Sequence, residues 1–256
     1  MTPERIKAGT AFWEQHRTTL EQVARDYEVS PGIILGILGV ETFYNRKTGK
    51  HRVLDALATL AFQYPPRAAF FRGELEQFLL LTREQRLDPL SLLGSYAGAM
   101  GMPQFISSSY RGYAVDFDRD GRADLWNNPA DVFASVANYL KKHGWEPNQP
   151  IAVRARVTGQ GYRNYLEEKL GPPRNRLEHL IRSGVVPNTS IPGNPLVSLV
   201  TLDGEYEPEY WIGLKNFYVI TRYNHSPLYA MAVYQLSEAI NNDYKNQPIA
   251  ESHLKP

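Results

Sequence analysis

The chain has 256 residues, a formal net charge of +1 and no cysteine. This length allows one substantial hydrophobic core with a smaller annex. The nearly neutral charge gives no indication of nucleic acid as a partner, and the lack of cysteine excludes disulfides, thiol catalysis and thiolate metal sites.

The first helical pattern covers residues 4–28, and a second one follows at residues 30–41. Ser30 suits the N-cap of the second helix, and Pro31 suits its first turn, where no amide hydrogen is required. Residues 33–40 are apolar around most of the helical circumference. This pattern predicts a helix that is surrounded by protein rather than lying on a surface.

Glu41 ends this apolar helix. A carboxylate in such a position costs free energy unless it is paired or faces a cleft, and both desolvation and the helix dipole favour its protonated form. A carboxyl group that stays protonated near neutral pH can act as a general acid. The alternative interpretation is a glutamate that turns to solvent at the end of a helix.

Two further helical patterns occupy residues 53–62 and 67–81. They are separated by residues 64–66, where two prolines must break the helix. The three leucines at 79–81 are predicted to lie in the core. Residues 88–89, Asp-Pro, are predicted to begin a short helix.

An acidic segment at residues 116–131 resembles a calcium-binding loop. Three aspartates fall at positions 1, 3 and 5 of such a loop, and a glycine supplies the turn at position 6. Because position 12 lacks its usual glutamate, a later aspartate is expected to close a longer loop. The predicted ligands are Asp116, Asp118, Asp120, the carbonyl of Arg122, and Asp131. The alternative is an Asp-rich turn whose carboxylates cap helices; we favour a structural Ca²⁺ site, with Na⁺ as the other candidate ion, and no organic cofactor.

After a predicted helix at residues 132–143 the composition changes. Apolar residues alternate at 151–157 and are dense at 196–202, which predicts strands on either side of a helix near residues 163–170. Many prolines punctuate this part, as expected of an annex with many turns. We therefore predict an inserted subdomain at about residues 147–213.

The chain then returns to helix from Asn216, and Ser226-Pro227 repeats the cap-and-proline start. An apolar stripe at every fourth residue is predicted to be core: Leu228, Ala232, Leu236 and Ile240. Tyr223, Asn224 and Tyr229 lie where two helices are predicted to meet, and they are either packing residues or polar groups of a cleft. Residues 94–101, rich in Gly and Ala, predict a close backbone approach to a ligand or another helix.

Three separated blocks carry a resemblance to a known family. The blocks are Gly39-Val40-Glu41-Thr42 with residues 54–60, then residues 94–101 with 103–105 and 108–110, and finally residues 216–224. Together they resemble the lytic transglycosylase B family, whose fold resembles goose-type lysozyme, over about residues 12–240. One departure is Asn45, which stands where the family usually has Gly; Asn tolerates a left-handed backbone less freely than Gly does.

The resemblance implies a mainly α fold of the α+β class. We expect a lysozyme-like helical catalytic core at residues 1–146 that contains the EF-hand-like loop at 116–131. The small β-containing subdomain at 147–213 would be inserted into it, and residues 214–256 would complete the core.

The resemblance also implies a substrate and a mechanism. The substrate would be the β-1,4 bond between N-acetylmuramic acid and N-acetylglucosamine in peptidoglycan. Glycosidases commonly use two carboxylates, but no second one stands in the family-like blocks, so Glu41 is expected to act as acid and then as base. Attack by the muramoyl 6-hydroxyl would then release a 1,6-anhydro product without water.

By position in these blocks, the residues expected to contact the substrate are Ser95, Gln104, Phe105, Tyr139, Tyr223, Asn224 and Tyr229. A muramidase that delivers water and a wall-binding protein without catalysis are the alternative functions. The expected partners are peptidoglycan glycan strands, with cell-wall synthesis or remodelling proteins as further candidates, and a monomer is expected. The chain has no apolar signal segment, lipidation Cys or membrane-spanning stretch, and we expect the native protein to act in the periplasm or at the outer membrane.

Overall fold

A computed structural model of the chain describes residues 2–167 and 169–246. The fold is mainly helical with a small sheet, which confirms the predicted α+β class. Within this described part, no helix is both long and apolar enough to cross a membrane.

The first helical pattern forms two helices rather than one. Helix α1 spans Pro3–Gln15 and helix α2 spans Arg17–Tyr27, with a break at His16 (φ −117°, ψ 21°). The break allows α1 to pack on α3 and α10 while α2 packs on α7. Tertiary packing therefore overrides the continuous local pattern, and the prediction of one helix over 4–28 is wrong.

Helix α3, Pro31–Thr42, is the buried centre of the core, as predicted. It packs against the long helix α10, Pro227–Lys245. The contact is close because a Cβ atom at Gly36 would lie only 2.7 Å from the carbonyl oxygen of Val233. Pro31 occupies the first turn as expected, but the Ser30 side chain makes no capping hydrogen bond, so that part of the prediction is wrong.

Helices α4, Val53–Gln63, and α5, Ala68–Glu84, pack against each other across a 3₁₀ turn at Pro65–Arg67. Leu81 is buried, but Leu79 is 49% exposed, because residues two apart point to nearly opposite sides of a helix. The helix predicted to start at Asp88 is a turn, in which the Asp88 side chain accepts a 2.9 Å hydrogen bond from the amide of Leu90.

The next part of the chain connects these helices to the acidic loop. Strands β1, His51–Arg52, and β2, Leu93–Gly94, form a short antiparallel ladder. Helix α6, Ser107–Tyr113, precedes the loop, and helix α7, Pro129–Lys142, follows it. The predicted close approach at 94–101 is made to the protein itself: a Cβ atom at Gly101 (φ +68°) would lie 2.3 Å from the carbonyl oxygen of Leu125.

A five-stranded antiparallel sheet follows, in the order β4-β6-β7-β3-β5. The strands are β3 (Ala152–Val157), β4 (Asn175–Arg176), β5 (Val185–Pro187), β6 (Leu196–Leu202) and β7 (Glu209–Gly213). The predicted strands at 151–157 and 196–202 are thus confirmed. The helix predicted near 163–170 is wrong: that region has a 3₁₀ turn at Gly161–Tyr165, and helix α8, Leu177–Arg182, comes later.

The sheet has its own cluster of buried apolar residues, centred on β3, β6, β7 and α8. This cluster is consistent with an annex at 147–213, but the division into segments 1–146, 147–213 and 214–256 stays a prediction.

Helix α9, Lys215–Thr221, and helix α10 return the chain to the core. The Ser226 hydroxyl accepts a 3.4 Å hydrogen bond from the amide of Tyr229, which confirms the predicted cap. Leu236 and Ile240 are buried, but Leu228 is 64% exposed and is not core. The physical reason is that a stripe at every fourth residue turns by about 40° at each step around a helix of 3.6 residues per turn.

Candidate active site

Glu41 lies in the last turn of α3 and is partly buried. Burial raises the pKa of its carboxyl group to about 7, although a hydrogen bond from Tyr229 lowers it in part. At neutral pH a substantial fraction of the group is therefore protonated, as a general acid requires. This environment favours the acid over the alternative of a glutamate turned to solvent.

Tyr229, in the first turn of α10, donates a 2.6 Å hydrogen bond from its hydroxyl to Oε1 of Glu41. Burial, and after it the nearby charge of Glu41, raises the pKa of Tyr229 well above its usual value, so its hydroxyl stays a donor. The sequence suggested that this tyrosine contacts the sugar. The structure brings it instead to the candidate acid itself.

Gln104 lies on a tight turn in which Met100 and Phe105 exchange two backbone hydrogen bonds of 2.8 and 3.1 Å. Its backbone is left-handed (φ +52°). Its side-chain amide donates to the carbonyl oxygens of Thr48 (3.0 Å) and Gly101 (2.9 Å). The amide group is therefore committed to the protein, whereas the side-chain oxygen accepts no hydrogen bond from the described residues.

A cluster of aromatic rings lies beside Tyr229. Phe105 is only 2% exposed, and its ring centroid lies 5.7 Å from that of Tyr139 and 5.8 Å from that of Tyr223. The hydroxyl of Tyr139 donates to the carbonyl of Arg222, and that of Tyr223 donates to the carbonyl of Pro103, each at 2.6 Å. Both hydroxyls are thus used to join segments of the protein, and contact of these rings with a sugar stays a prediction.

Ser95 and Asn224 shape turns. The Ser95 hydroxyl accepts hydrogen bonds from the amides of Ala97 (3.3 Å) and Ala99 (3.0 Å). The exposed Asn224 side chain accepts one from the amide of Ser226 at 3.2 Å. In the described part of the chain neither residue is hydrogen-bonded to Glu41, so their predicted contacts with substrate also stay predictions.

Sequence reasoning assigned no role to Thr42, which follows Glu41 and is fully buried. Its hydroxyl donates to the carbonyl of Met102 at 2.9 Å and accepts from the amide of Asn45 at 3.2 Å. The one available signal was its place in the family-like block at 39–42. The adjacent Asn45 has φ +72°, so it adopts the left-handed conformation that a Gly would adopt more freely.

The acidic loop brings three of the five predicted metal ligands together. One carboxylate oxygen from each of Asp116, Asp118 and Asp120 lies within 4.8 Å of the others. Asp131 lies outside this group and is fully buried, and its two oxygens accept 2.8 Å hydrogen bonds from the amides of Phe117 and Asp124.

Asp131 nevertheless lies near the three aspartates. Burial raises its pKa, the two amides lower it, and the charges of Asp118 and Asp116 raise it further. An all-oxygen donor set suits a hard cation such as Ca²⁺. Ligation by Asp131 and by the Arg122 carbonyl stays a prediction.

The fold belongs to the lysozyme-like, mainly helical class. The chain matches the transglycosylase SLT domain over residues 1–238, and it belongs to this family. It is 48% identical over 240 residues to the membrane-bound lytic murein transglycosylase B of Escherichia coli K12; the match covers 94% of this chain and 65% of that protein. The chain thus spans less than two thirds of the length of this relative.

Two solved structures are closely similar. The soluble lytic transglycosylase SltB1 from Pseudomonas aeruginosa has a TM-score of 0.90 and 47% identity, with 96% of this chain and 81% of that chain covered. The E. coli lytic transglycosylase Slt35, solved in complex with calcium, has a TM-score of 0.88 and 46% identity, with 96% and 77% covered. These likenesses confirm the family suggested by the three sequence blocks.

Proposed function

We propose that this chain is a lytic transglycosylase that cleaves the β-1,4 bond between N-acetylmuramic acid and N-acetylglucosamine in peptidoglycan. The observation that carries the proposal is the partly buried Glu41, whose pKa is raised to about 7 and whose carboxyl group is held by Tyr229. Membership of the transglycosylase SLT family and 48% identity to a lytic murein transglycosylase support the choice of substrate.

In the first step, protonated Glu41 donates its proton to the glycosidic oxygen as the bond to the muramoyl C1 breaks. The 2.6 Å hydrogen bond from Tyr229 orients the carboxyl group. This bond strengthens as Glu41 ionises, because hydrogen bonds to charged acceptors are stronger than those to neutral ones. Tyr229 therefore stabilises the charge that forms on Glu41 in the transition state.

In the second step, the substrate itself supplies the nucleophile. The 2-acetamido oxygen stabilises positive charge at C1, ionised Glu41 removes the proton of the muramoyl 6-hydroxyl, and O6 forms the new bond to C1. Glu41 is thereby protonated again, and no water is consumed. An intramolecular nucleophile has a high effective concentration, which helps it to compete with water.

The electrostatics around Glu41 support a single-carboxylate route. In glycosidases that use two carboxylates, the pair stands about 5–10 Å apart. A second carboxylate at that distance would perturb the pKa of Glu41 by its charge. Within the described residues, the pKa of Glu41 is shifted by burial and by Tyr229 alone.

A more distant relative supports the anhydro product. SltB3 from P. aeruginosa is 33% identical with a TM-score of 0.81, covering 96% of this chain and 64% of that chain, and it was solved in complex with NAG-anhNAM-pentapeptide. This complex favours transglycosylation over the water-delivering muramidase. By analogy, Ser95, Asn224 and the free side-chain oxygen of Gln104 would contact the sugars, while Phe105, Tyr139 and Tyr223 would form the wall.

We also propose that the acidic loop binds a structural Ca²⁺. Asp116, Asp118 and Asp120 would supply carboxylate oxygens, with the Arg122 carbonyl and Asp131 as further ligands, and the calcium complex of Slt35 supports the identity of the ion. The ion would neutralise three close negative charges and hold the loop in place. The expected site of action is the periplasm or the outer membrane, where peptidoglycan is accessible.

The test is digestion of purified sacculi followed by mass spectrometry of the soluble products. A lytic transglycosylase releases 1,6-anhydromuramoyl products, which are one water lighter than the products of a muramidase. Anhydro products from the wild type, and none from Glu41→Gln, are the expected result. Reducing-end products would indicate a muramidase, and binding without release would indicate a non-catalytic protein.

A further inference from the structure

Two neighbouring carbonyl groups beside the candidate site are held from two different helices. The Met102 carbonyl accepts the 2.9 Å hydrogen bond from Thr42, at the end of α3. The Pro103 carbonyl accepts the 2.6 Å bond from Tyr223, just after α9. Met102 and Pro103 are themselves buried, so these carbonyls have little access to water as an alternative partner.

We infer that Thr42 is a positioning residue, which fixes the Glu41 end of α3 to the segment 102–105 so that the acid and the cleft wall keep one geometry. This inference rests on the proposed function and deepens it. Thr42 is expected to act through Glu41 and the segment 102–105, not by touching the substrate.

The hydroxyl of Thr42 is saturated by these contacts. Its donor lies closer to the Met102 carbonyl (2.9 Å) than to the Leu38 carbonyl in its own helix (3.4 Å). It also accepts from the amide of Asn45 at 3.2 Å. Removing the hydroxyl would therefore leave a carbonyl and an amide without their partners, and the backbone would shift to recover them.

A shift of the segment 102–105 would reach the site directly. Gln104, in its left-handed conformation, and Phe105, beneath Tyr139 and Tyr223, follow the two held carbonyls without a break. The side chain of Glu41 would change its distance to this wall, and a misplacement of about 1 Å can lower a rate on the order of 10²-fold. Binding of a long glycan uses many other contacts, so it would change less.

The experiment compares Thr42→Val, which keeps the shape but removes the hydroxyl, with Thr42→Ser, which keeps the hydroxyl. Initial rates of anhydro product release from soluble glycan strands give kcat and KM, and circular dichroism gives the folded fraction at the assay temperature. We expect Thr42→Val to lower kcat per folded molecule by about 10- to 100-fold with KM changed less than about threefold, and Thr42→Ser to recover kcat to within about threefold of wild type.

A purely structural role gives a different result. If Thr42→Val only melts earlier and keeps kcat per folded molecule within about threefold of wild type, the inference is wrong. Should Thr42→Val fail to fold, Tyr223→Phe tests the same segment from its other side, because it removes the bond to the Pro103 carbonyl and keeps the ring. A normal kcat in Tyr223→Phe then overturns the inference. A wild type that releases no anhydro product overturns the proposed function, and this inference with it; a normal kcat in these variants of an active enzyme overturns the inference alone.

Discussion

Replacing Glu41 with Gln should separate activity from stability in opposite directions. Gln keeps the shape of the side chain and can still accept the hydrogen bond from Tyr229, but it cannot donate a proton as an acid. We expect kcat to fall by at least about 10²-fold, the scale of a positioned general acid. We also expect the variant to be more stable than wild type at alkaline pH.

The stability gain follows from the raised pKa. The carboxyl group ionises at about 7 in the folded protein and at its ordinary 4.5 in the unfolded chain. Between these values the folded state holds a proton that the unfolded state has lost, so the free energy of unfolding decreases as pH rises from 4.5 to about 7. After allowance for the partial exposure of Glu41, the loss in wild type is about 1–3 kcal/mol, and Gln removes it.

The assay is urea denaturation of both proteins, followed by tryptophan fluorescence, at about pH 5 and about pH 8.5. Glu41→Gln should exceed wild type by about 1–3 kcal/mol in unfolding free energy at the higher pH and by much less at the lower one. Glu178→Gln, an exposed carboxylate on α8 that pairs with Arg182, is the matched control and should retain turnover. If the gap between Glu41→Gln and wild type is the same at both pH values, burial does not raise the pKa of Glu41 and the acid assignment loses its basis.

Three further changes test other parts of the site. Tyr229→Phe removes the hydrogen bond that lowers the pKa of Glu41, so kcat should fall while the alkaline limb of the pH–rate profile moves to higher pH; a limb that stays in place would contradict the contact. Asp118→Ala combined with Asp120→Ala should abolish the rise in melting temperature that calcium gives the wild type and leave melting in chelator nearly unchanged, because an ion that binds only the folded state stabilises it by mass action. An equal response to calcium in both proteins would exclude the metal site. Asn45→Ala should lower the unfolding free energy by about 1–2 kcal/mol, since Ala is less suited to φ +72° and loses the 3.3 Å bond to the Trp126 carbonyl, whereas Asn45→Gly should cost less; equal losses in urea denaturation would show that backbone strain is not the cause.

The elements that sequence reasoning placed correctly are those set by local signals. The apolar run at 33–40 predicted the buried helix α3, and the Ser226-Pro227 pair predicted the start of α10. The alternation at 151–157 predicted strand β3. In each case the residues themselves restrict the backbone or require burial, so little information from the rest of the chain was needed.

The errors occurred where distant packing decides. Nothing around His16 marks the break between α1 and α2, which arises because the two helices pack on different partners. The bond between Tyr229 and Glu41 joins residues 188 positions apart in the chain. The resemblance to a family could place both residues in one cleft, but only the three-dimensional structure could show that Tyr229 contacts the acid.

The backbone after Glu41 is a further feature that local propensity argues against. Phe43, Tyr44 and Asn45 are all left-handed, with φ of 52°, 56° and 72°, a conformation that costs about 1–2 kcal/mol for a residue such as Phe or Tyr. Contacts from outside the turn offset this cost, since the Tyr44 amide donates to the Leu38 carbonyl at 3.2 Å and the Phe43 ring lies between the guanidinium groups of Arg5 and Arg46.

This strained turn stops α3 directly after Thr42, so that the amide of Asn45 comes back to the Thr42 hydroxyl. A helix that continued would instead carry the amides of residues 43–45 up its own axis, away from that hydroxyl. The turn therefore helps to hold the hydroxyl that reaches Met102, and through it the position of Glu41. Strain stored next to a candidate acid in this way is consistent with a geometry that serves catalysis more than local stability.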